Sequence, residues 1–223
     1  MRGTLPPRTI RNKPPTNSDG VSEKGSALSE IKRKQRRGVT RQEVARTAIE
    51  CFARYGVHRT SLIDIAEALG VSRQTLYRLF DNRSELLEFI VTDRVKLIAE
   101  NLRETTEKSC DIEDALIETI TKSIKLARED RLLVEILHHN IGSDLQTYLF
   151  GGAEEVQIAM MNVWGSLIDR ARELGRLRDG IGTREAVAWM TNIGAMLNFR
   201  EDYEETEHRD IVGKFVIPSL LKH

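Results

Sequence analysis

TSLIDIAEALGVSRQTLYRLF, running from Thr60 to Phe80, has the pattern of two short helices separated by a tight turn. Leu62, Ile65, Ala66 and Leu69 fall on one side of a helix, and the small residues Ala66 and Gly70 sit four apart where a second helix must approach. Gly70 suits the left-handed backbone that ends a helix, and Ser72 can cap the next one by accepting a bond from the Thr75 amide. On that second helix Leu76, Leu79 and Phe80 share one side. Arg73, Gln74, Thr75, Tyr77 and Arg78 fill the other with cations, an amide, a hydroxyl and a phenol, the groups that reach phosphates and base edges. Helix, short turn and polar-faced helix make a helix-turn-helix signature. An ordinary amphipathic helical hairpin shares this pattern, so the flanking sequence has to separate the two readings.

The flank does so. GVSRQTLYRLFDNRSELL, Gly70 to Leu87, closely resembles the recognition end of the tetracycline-repressor-like (TetR) family of bacterial regulators. That family has a Gly-Val-Ser turn, a Thr-Leu-Tyr helix, an aromatic stop and a basic loop opening a long fourth helix. The resemblance runs from about Thr40 to Leu87, and beyond it only a layout of helices is shared. One departure lies mid-helix: Arg78 and Leu79 stand where family members often carry His and an aromatic, so no operator sequence carries over. The resemblance implies an all-α fold, an N-terminal three-helix helix-turn-helix domain followed by a helical effector-binding and dimerisation domain. It also implies that the hydroxyls of Thr60 and Ser61 touch phosphate and that Arg83 clamps phosphate at the start of the fourth helix.

Composition agrees with a two-part helical chain. Of 223 residues 40% are apolar and only 5% aromatic, with five prolines, which favours helices over a sandwich or barrel. The formal net charge is zero but is divided along the chain. Residues 1–83 carry 17 Lys/Arg against 8 Asp/Glu and residues 84–223 carry 17 against 26, a surplus of nine positive and nine negative charges respectively. A basic front on an acidic body suits a module for a polyanion. Cys51 and Cys110 have no metal-ligand spacing and fit a reducing cytoplasm. No apolar run reaches the ~18 residues of a membrane span, and no apolar secretory stretch opens the chain.

In order, residues 1–38 are rich in Pro, Gly, Ser and basic side chains and read as a disordered arm. Its run Ile31 to Gly38, with Arg36 and Arg37, is either a solvated tail or an arm lying along phosphates or in the minor groove. Residues 39–86 read as the DNA-binding domain. Thr40 and Glu43 form a capping box, Gly56 stops the first helix, Thr60 and Ser61 open the second, and Asn82 with Glu85 opens the fourth, which runs to about Lys108. Residues 87–223 read as the body, with helices over about 111–129, 131–140, 144–150, 154–174, 183–199 and 208–221. The last two carry apolar residues on more than one side, Pro218 bending or ending the final one. Trp189, Ile193, Ala195, Met196, Phe215 and Val216 are therefore the candidate dimer interface, and the family pairs these helices as a four-helix bundle.

No phosphate-cradling glycine loop, metal-spaced histidine pair or nucleophile elbow is present, so no enzyme, cofactor or metal is expected. In the family an effector sits inside the body. Met160, Met161, Asn162 and Trp164 on the central helix, with His138 and Tyr148 on helices that could close it, are the candidate ligand residues, although Met and Trp at helical spacing also serve as plain core. The reading is a cytoplasmic, ligand-responsive repressor that binds a pseudo-palindromic DNA operator as a homodimer and is released by an unidentified small molecule. Gln74 and Arg73 would read bases; Thr60, Tyr77 and Arg83 would hold phosphate. The alternatives are a constitutive DNA-binding or architectural protein and an enzyme or carrier with an incidental helix-turn-helix.

Overall fold

The computed structural model describes residues 38–106, 111–139, 145, 148, 153–200 and 202–222, with backbone alone at 104–106 and 139. The described residues are helical, with an isolated pairing of Leu177 and Leu221 in place of any strand. From Thr40 onward they pack as one unit.

The head consists of α1 (Arg41–Tyr55), α2 (Leu62–Leu69) and α3 (Arg73–Tyr77). The caps predicted at Thr40, Ser61 and Ser72 form. Thr40 and Glu43 exchange bonds, the Glu43 amide donating to Thr40 Oγ1 at 3.2 Å and the Thr40 amide to Glu43 Oε2 at 2.9 Å. Gly70 takes φ 72°, ψ 33°, a left-handed conformation that a side chain would strain. Val44, Ala48, Phe52, Leu62, Ile65, Ala66 and Leu76 are buried together as the head's core. Cys51 is buried with them, and burial pushes its thiol up.

Helix α4 (Arg83–Thr106) then runs without a break across the predicted domain boundary, burying Leu86, Leu87, Ile90 and Val91. At 1.5 Å per residue its 24 residues span about 36 Å. The body adds α5 (Ile112–Glu129), α6 (Arg131–His139), α7 (Glu154–Glu173) and α8 (Thr183–Asn198). Helix α7 lies at the centre, packed on α4, α5 and α8, with Val163, Trp164, Leu167, Ile168 and Ala171 almost fully buried. Leu145 and Tyr148, within the predicted helix 144–150, are helical; the rest of that segment, and Lys108 and Cys110, fall outside the described residues.

The final helix differs from its predicted bounds. It begins at Glu205 as α9 (Glu205–Ile211), where the Glu204 amide donates to Glu207 Oε2 at 2.8 Å, then widens into a π-helical turn over Val212–Val216 before α10 (Ile217–Leu220). Pro218 has no N–H, and its ring would clash with the Lys214 carbonyl in a regular helix. Shifting the bond by one residue, so that the Ile217 amide meets the Val212 carbonyl, removes that clash. After α10 the chain pairs with the α7–α8 connection through Arg178 N–H to Leu220 O at 2.8 Å and Lys222 N–H to Arg176 O at 2.7 Å.

Candidate nucleic-acid interface and body cavity

Helix α3 is short, and three local devices set its orientation. Ser61 caps α2, its amide and hydroxyl both donating to Asp64 Oδ2 at 2.8 and 2.7 Å, which holds the Asp64 carboxyl below the usual carboxylate range. The Gly70 turn follows, the Val71 amide donating back to Ala66 O at 3.0 Å. Ser72 then accepts from the Thr75 amide at 3.1 Å, and its hydroxyl meets that of Thr75 at 2.9 Å. Leu76 and Phe80, 1% and 0% exposed, anchor the inner side, each stabilising by about 1.5–3 kcal/mol. Phe80 meets Phe89 edge-on at 5.6 Å, and the Arg41 guanidinium lies 4.3 Å from the Phe80 ring while pairing with Glu85 at 2.9 Å.

With its apolar side held in this way, α3 turns Arg73, Gln74, Tyr77 and Arg78 to solvent, with Thr75 half-exposed. Among the described residues none of the four exposed side chains has a hydrogen bond or ion pair within the chain. Gln74, Thr75, Tyr77 and Arg78 border one shallow hollow. Donors held on a rigid helix without internal partners are what major-groove base edges and phosphates require. Exposed Ser61 and Ser72 sit at the two helix starts flanking this surface.

Two residues expected to hold phosphate make their bonds within the chain. Thr60 is 1% exposed and its hydroxyl donates to Gly56 O at 2.9 Å, so it ties the α1–α2 loop together rather than facing out; Ser61 alone is the cap. Arg83 turns inward as well. Its Nε donates to Thr60 O at 3.2 Å and its Nη2 to Val57 O at 2.6 Å, and partial burial pushes the guanidinium below the usual arginine value. It staples the start of α4 to the loop before α2. Asn82 does cap α4, accepting from the Glu85 amide at 2.9 Å, while the Glu85 carboxylate reaches the Asp81 amide instead of that of Asn82. Arg36 and Arg37 lie outside the described residues.

In the body a cavity of about 90 Å³ opens between helices α4 to α8. Its lining is apolar on the α4 and α6 sides, with Val91, Val95, Ile98, Leu133 and Leu137, and mixed on the others, where Ser123, Trp164, Thr191 and Asn198 face it. The Ser123 hydroxyl donates to Ile120 O at 2.7 Å and that of Thr191 to Val187 O at 2.8 Å. Among the described residues Trp164 Nε1 and Asn198 Oδ1 are buried with no partner.

Of the candidate ligand residues, Met160 and Trp164 line this cavity. Asn162 is exposed, and Met161 lies over Gly165 on another side of α7, its sulfur 3.1 Å from where a Gly165 Cβ would sit. His138 stacks on Phe199 at 6.4 Å, and the Tyr148 hydroxyl pairs with that of Thr92 at 2.8 Å; neither lines the cavity. A helix shows the cavity only one residue in three or four, which separates Met160 from its two neighbours. The sequence reading missed Asn198 and Thr191, whose signal was a pair of polar residues seven apart among the apolar residues of α8.

On the outer side of α8, Trp189 (44% exposed) and Met196 (50%) flank half-exposed Ile193 at helical spacing, and Phe215 (70%) stands out from the π turn. The Trp189 indole donates to Ser219 Oγ at 3.0 Å, tying α8 to α10. Two expected interface residues are elsewhere: Ala195 lines the cavity, and Val216, 2% exposed, is core, because the π turn directs it inward and Phe215 out.

The family model described as "Bacterial regulatory proteins, tetR family" matches residues 44–90, from α1 into α4. Residues 44–90 carry a TetR-family regulatory domain. Among curated relatives, the uncharacterized HTH-type transcriptional regulator MT2310 of Mycobacterium tuberculosis is 29% identical over 150 residues, covering 67% of this chain and 76% of that protein. Among solved structures, the TetR family repressor AlkX from Dietzia sp., implicated in biodegradation of n-alkanes, shares the fold with a TM-score of 0.59 at 20% identity, over 81% of this chain and 95% of that one. RolR, solved in complex with the ligand resorcinol, has a TM-score of 0.57 at 15% identity, over 86% and 90%. A chain with this domain is a DNA-binding transcriptional regulator and not an enzyme. Among its described residues no helix is long and apolar enough to cross a membrane.

Proposed function

We propose that this regulator is a cytoplasmic repressor that binds a pseudo-palindromic operator as a homodimer and releases it when a small molecule occupies the body cavity. The observation that carries the DNA-binding part is the outer face of α3, where Arg73, Gln74, Tyr77 and Arg78 are exposed and, among the described residues, unpartnered while Leu76 and Phe80 lock the helix from behind. Gln74 and Arg73 read bases, Tyr77 and Arg78 meet the backbone, and Ser61, Ser72 and Thr75 border the same surface. Residues 39–86 form the reading head, 87–223 the ligand-binding and dimerising body, and 1–38 a basic arm whose Arg36 and Arg37 follow the phosphates.

Dimerisation is supported by Trp189, Ile193, Met196 and Phe215, apolar groups exposed on the last two helical segments. A two-fold pair of heads about 34–36 Å apart would enter successive major grooves. The cavity, with its two orphaned polar atoms, favours a ligand-responsive regulator over a constitutive one. RolR's complex with resorcinol and AlkX's designation as a repressor point the same way.

The test is selection of duplexes from a random pool by the purified protein, followed by footprinting. The expected result is a two-fold symmetric consensus, protected on one face of the helix. A protein that leaves every duplex unprotected at low salt, where phosphate contacts are strongest, rejects the proposal.

A further inference from the structure

We propose that the body cavity takes a small, uncharged, mostly apolar alcohol or phenol, held by its hydroxyl between Trp164 and Asn198. This deepens the effector reading above and rests on it. Among the described residues no Lys, Arg, His, Asp or Glu lines the cavity. A charged ligand would lose its hydration there with no counter-charge, so ions are excluded. The apolar wall of Val91, Ile98, Leu133 and Met160 demands a hydrocarbon body.

Two polar groups set the remainder of the ligand. Trp164 is 1% exposed and its Nε1–H has no acceptor; Asn198 is 8% exposed and its Oδ1 has no donor. They come from different helices, α7 and α8, and line the same cavity. Buried donors and acceptors in native proteins are almost always paired. A hydroxyl is the smallest neutral group that answers both, accepting from the indole and donating to the amide oxygen. A ketone or ether answers only the indole, and an alkylamine carries charge near neutral pH. Water can make the same two bonds but gains nothing from the apolar wall, so an alcohol of the right size displaces it with profit. At about 90 Å³ the space is below the ~150 Å³ of an apolar cavity that holds benzene. One ring or a short chain is thus the upper size, with the flexible Met160 side chain yielding to admit it.

The experiment titrates the full-length protein with phenol, toluene and benzoate by calorimetry and thermal melting, with the gel shift of a selected duplex measured in parallel. Phenol is expected to bind and raise the melting temperature, toluene to bind about tenfold more weakly or worse, and benzoate not to bind. Trp164→Phe and Asn198→Leu should each bring phenol down toward toluene while leaving toluene unchanged. Toluene binding as tightly as phenol, benzoate binding more tightly, or none of the three binding overturns the inference even if DNA is still bound. Phenol bound with the expected preference but without release of DNA leaves this inference standing and removes the effector role. Should either variant fail to fold, the ligand series on the unmodified protein still decides.

Discussion

The backbone amide of Val57 donates to Glu135 Oε1 at 2.8 Å, joining the loop after α1 in the head to α6 in the body across 78 residues of sequence. Helix α6 also lines the cavity through Leu133 and Leu137, and its N-terminal end is held by Asp130, which accepts from the Leu133 amide at 3.1 Å and pairs with Arg94 of α4 at 2.5 Å. One nine-residue helix therefore touches cavity wall, connecting helix and reading head. In the proposed function, a ligand that displaced Leu133 or Leu137 would act on the head through this helix.

Glu135→Leu should leave the fully buried Val57 amide unpaired, lowering stability by about 1–3 kcal/mol in urea denaturation. Glu135→Gln keeps an acceptor and should retain most of it. Glu135→Leu should also weaken the dependence of DNA affinity on ligand more than either affinity alone. A leucine variant as stable and as ligand-responsive as the parent would show the link to be idle.

Arg83→Ala should act on folding rather than on phosphate. Losing its bonds to the Val57 and Thr60 carbonyls should lower stability by about 1–3 kcal/mol, with the slope of log affinity against log salt unchanged. Gln74→Ala should do the reverse, leaving stability within about 0.5 kcal/mol and relaxing preference at one base position by about 1–3 kcal/mol. A flattened salt slope in Arg83→Ala would return that side chain to the phosphates.

Phe215→Glu and Val216→Ala, adjacent in sequence, should fail in different ways. The exposed Phe215 variant should sediment as a folded monomer at micromolar concentration, the dimer being disfavoured by a charge in its apolar face. The buried Val216 variant should remain dimeric and lose about 1–3 kcal/mol of stability. A Phe215→Glu protein that stays dimeric removes this face from the interface.

His208 supplies a pH dependence. It is 3% exposed and its Nε2 is unpartnered. Burial first, then Arg128, push its imidazole below the ordinary value, against smaller opposing effects from a backbone bond at Leu197 and from Glu207 and Glu205. The unfolded chain therefore takes up this proton at a higher pH than the folded chain. The stabilisation is complete above about pH 6.5 and is lost as pH falls from there toward the folded value, at about 1.4 kcal/mol per unit of separation. Denaturation midpoints measured from pH 7.5 to 5 should fall less steeply for His208→Phe; parallel curves would show that His208 does not govern the slope.

The sequence by itself determined the reading head. Its caps at Thr40, Ser61, Ser72 and Asn82, its left-handed Gly70 and the two-sided α3 all rest on contacts within about one helical turn, which spacing and residue type encode directly. Helix spacing also put Met160, Met161, Asn162 and Trp164 forward as one ligand set and Trp189, Ile193, Ala195 and Met196 as one interface set, and packing divided both. Only the tertiary structure decided where Arg83 and Thr60 point, because the acceptors of Arg83 lie 23 and 26 residues earlier and the burial of Thr60 depends on packing around its loop. It likewise separated Phe215 from Val216, through a π turn forced by a proline further on, brought Asn198 and Trp164 to one cavity, and bonded Glu135 to the Val57 amide. An amphipathic period tells which residues share a side of a helix. What that side faces is set by elements that meet only when the chain has packed.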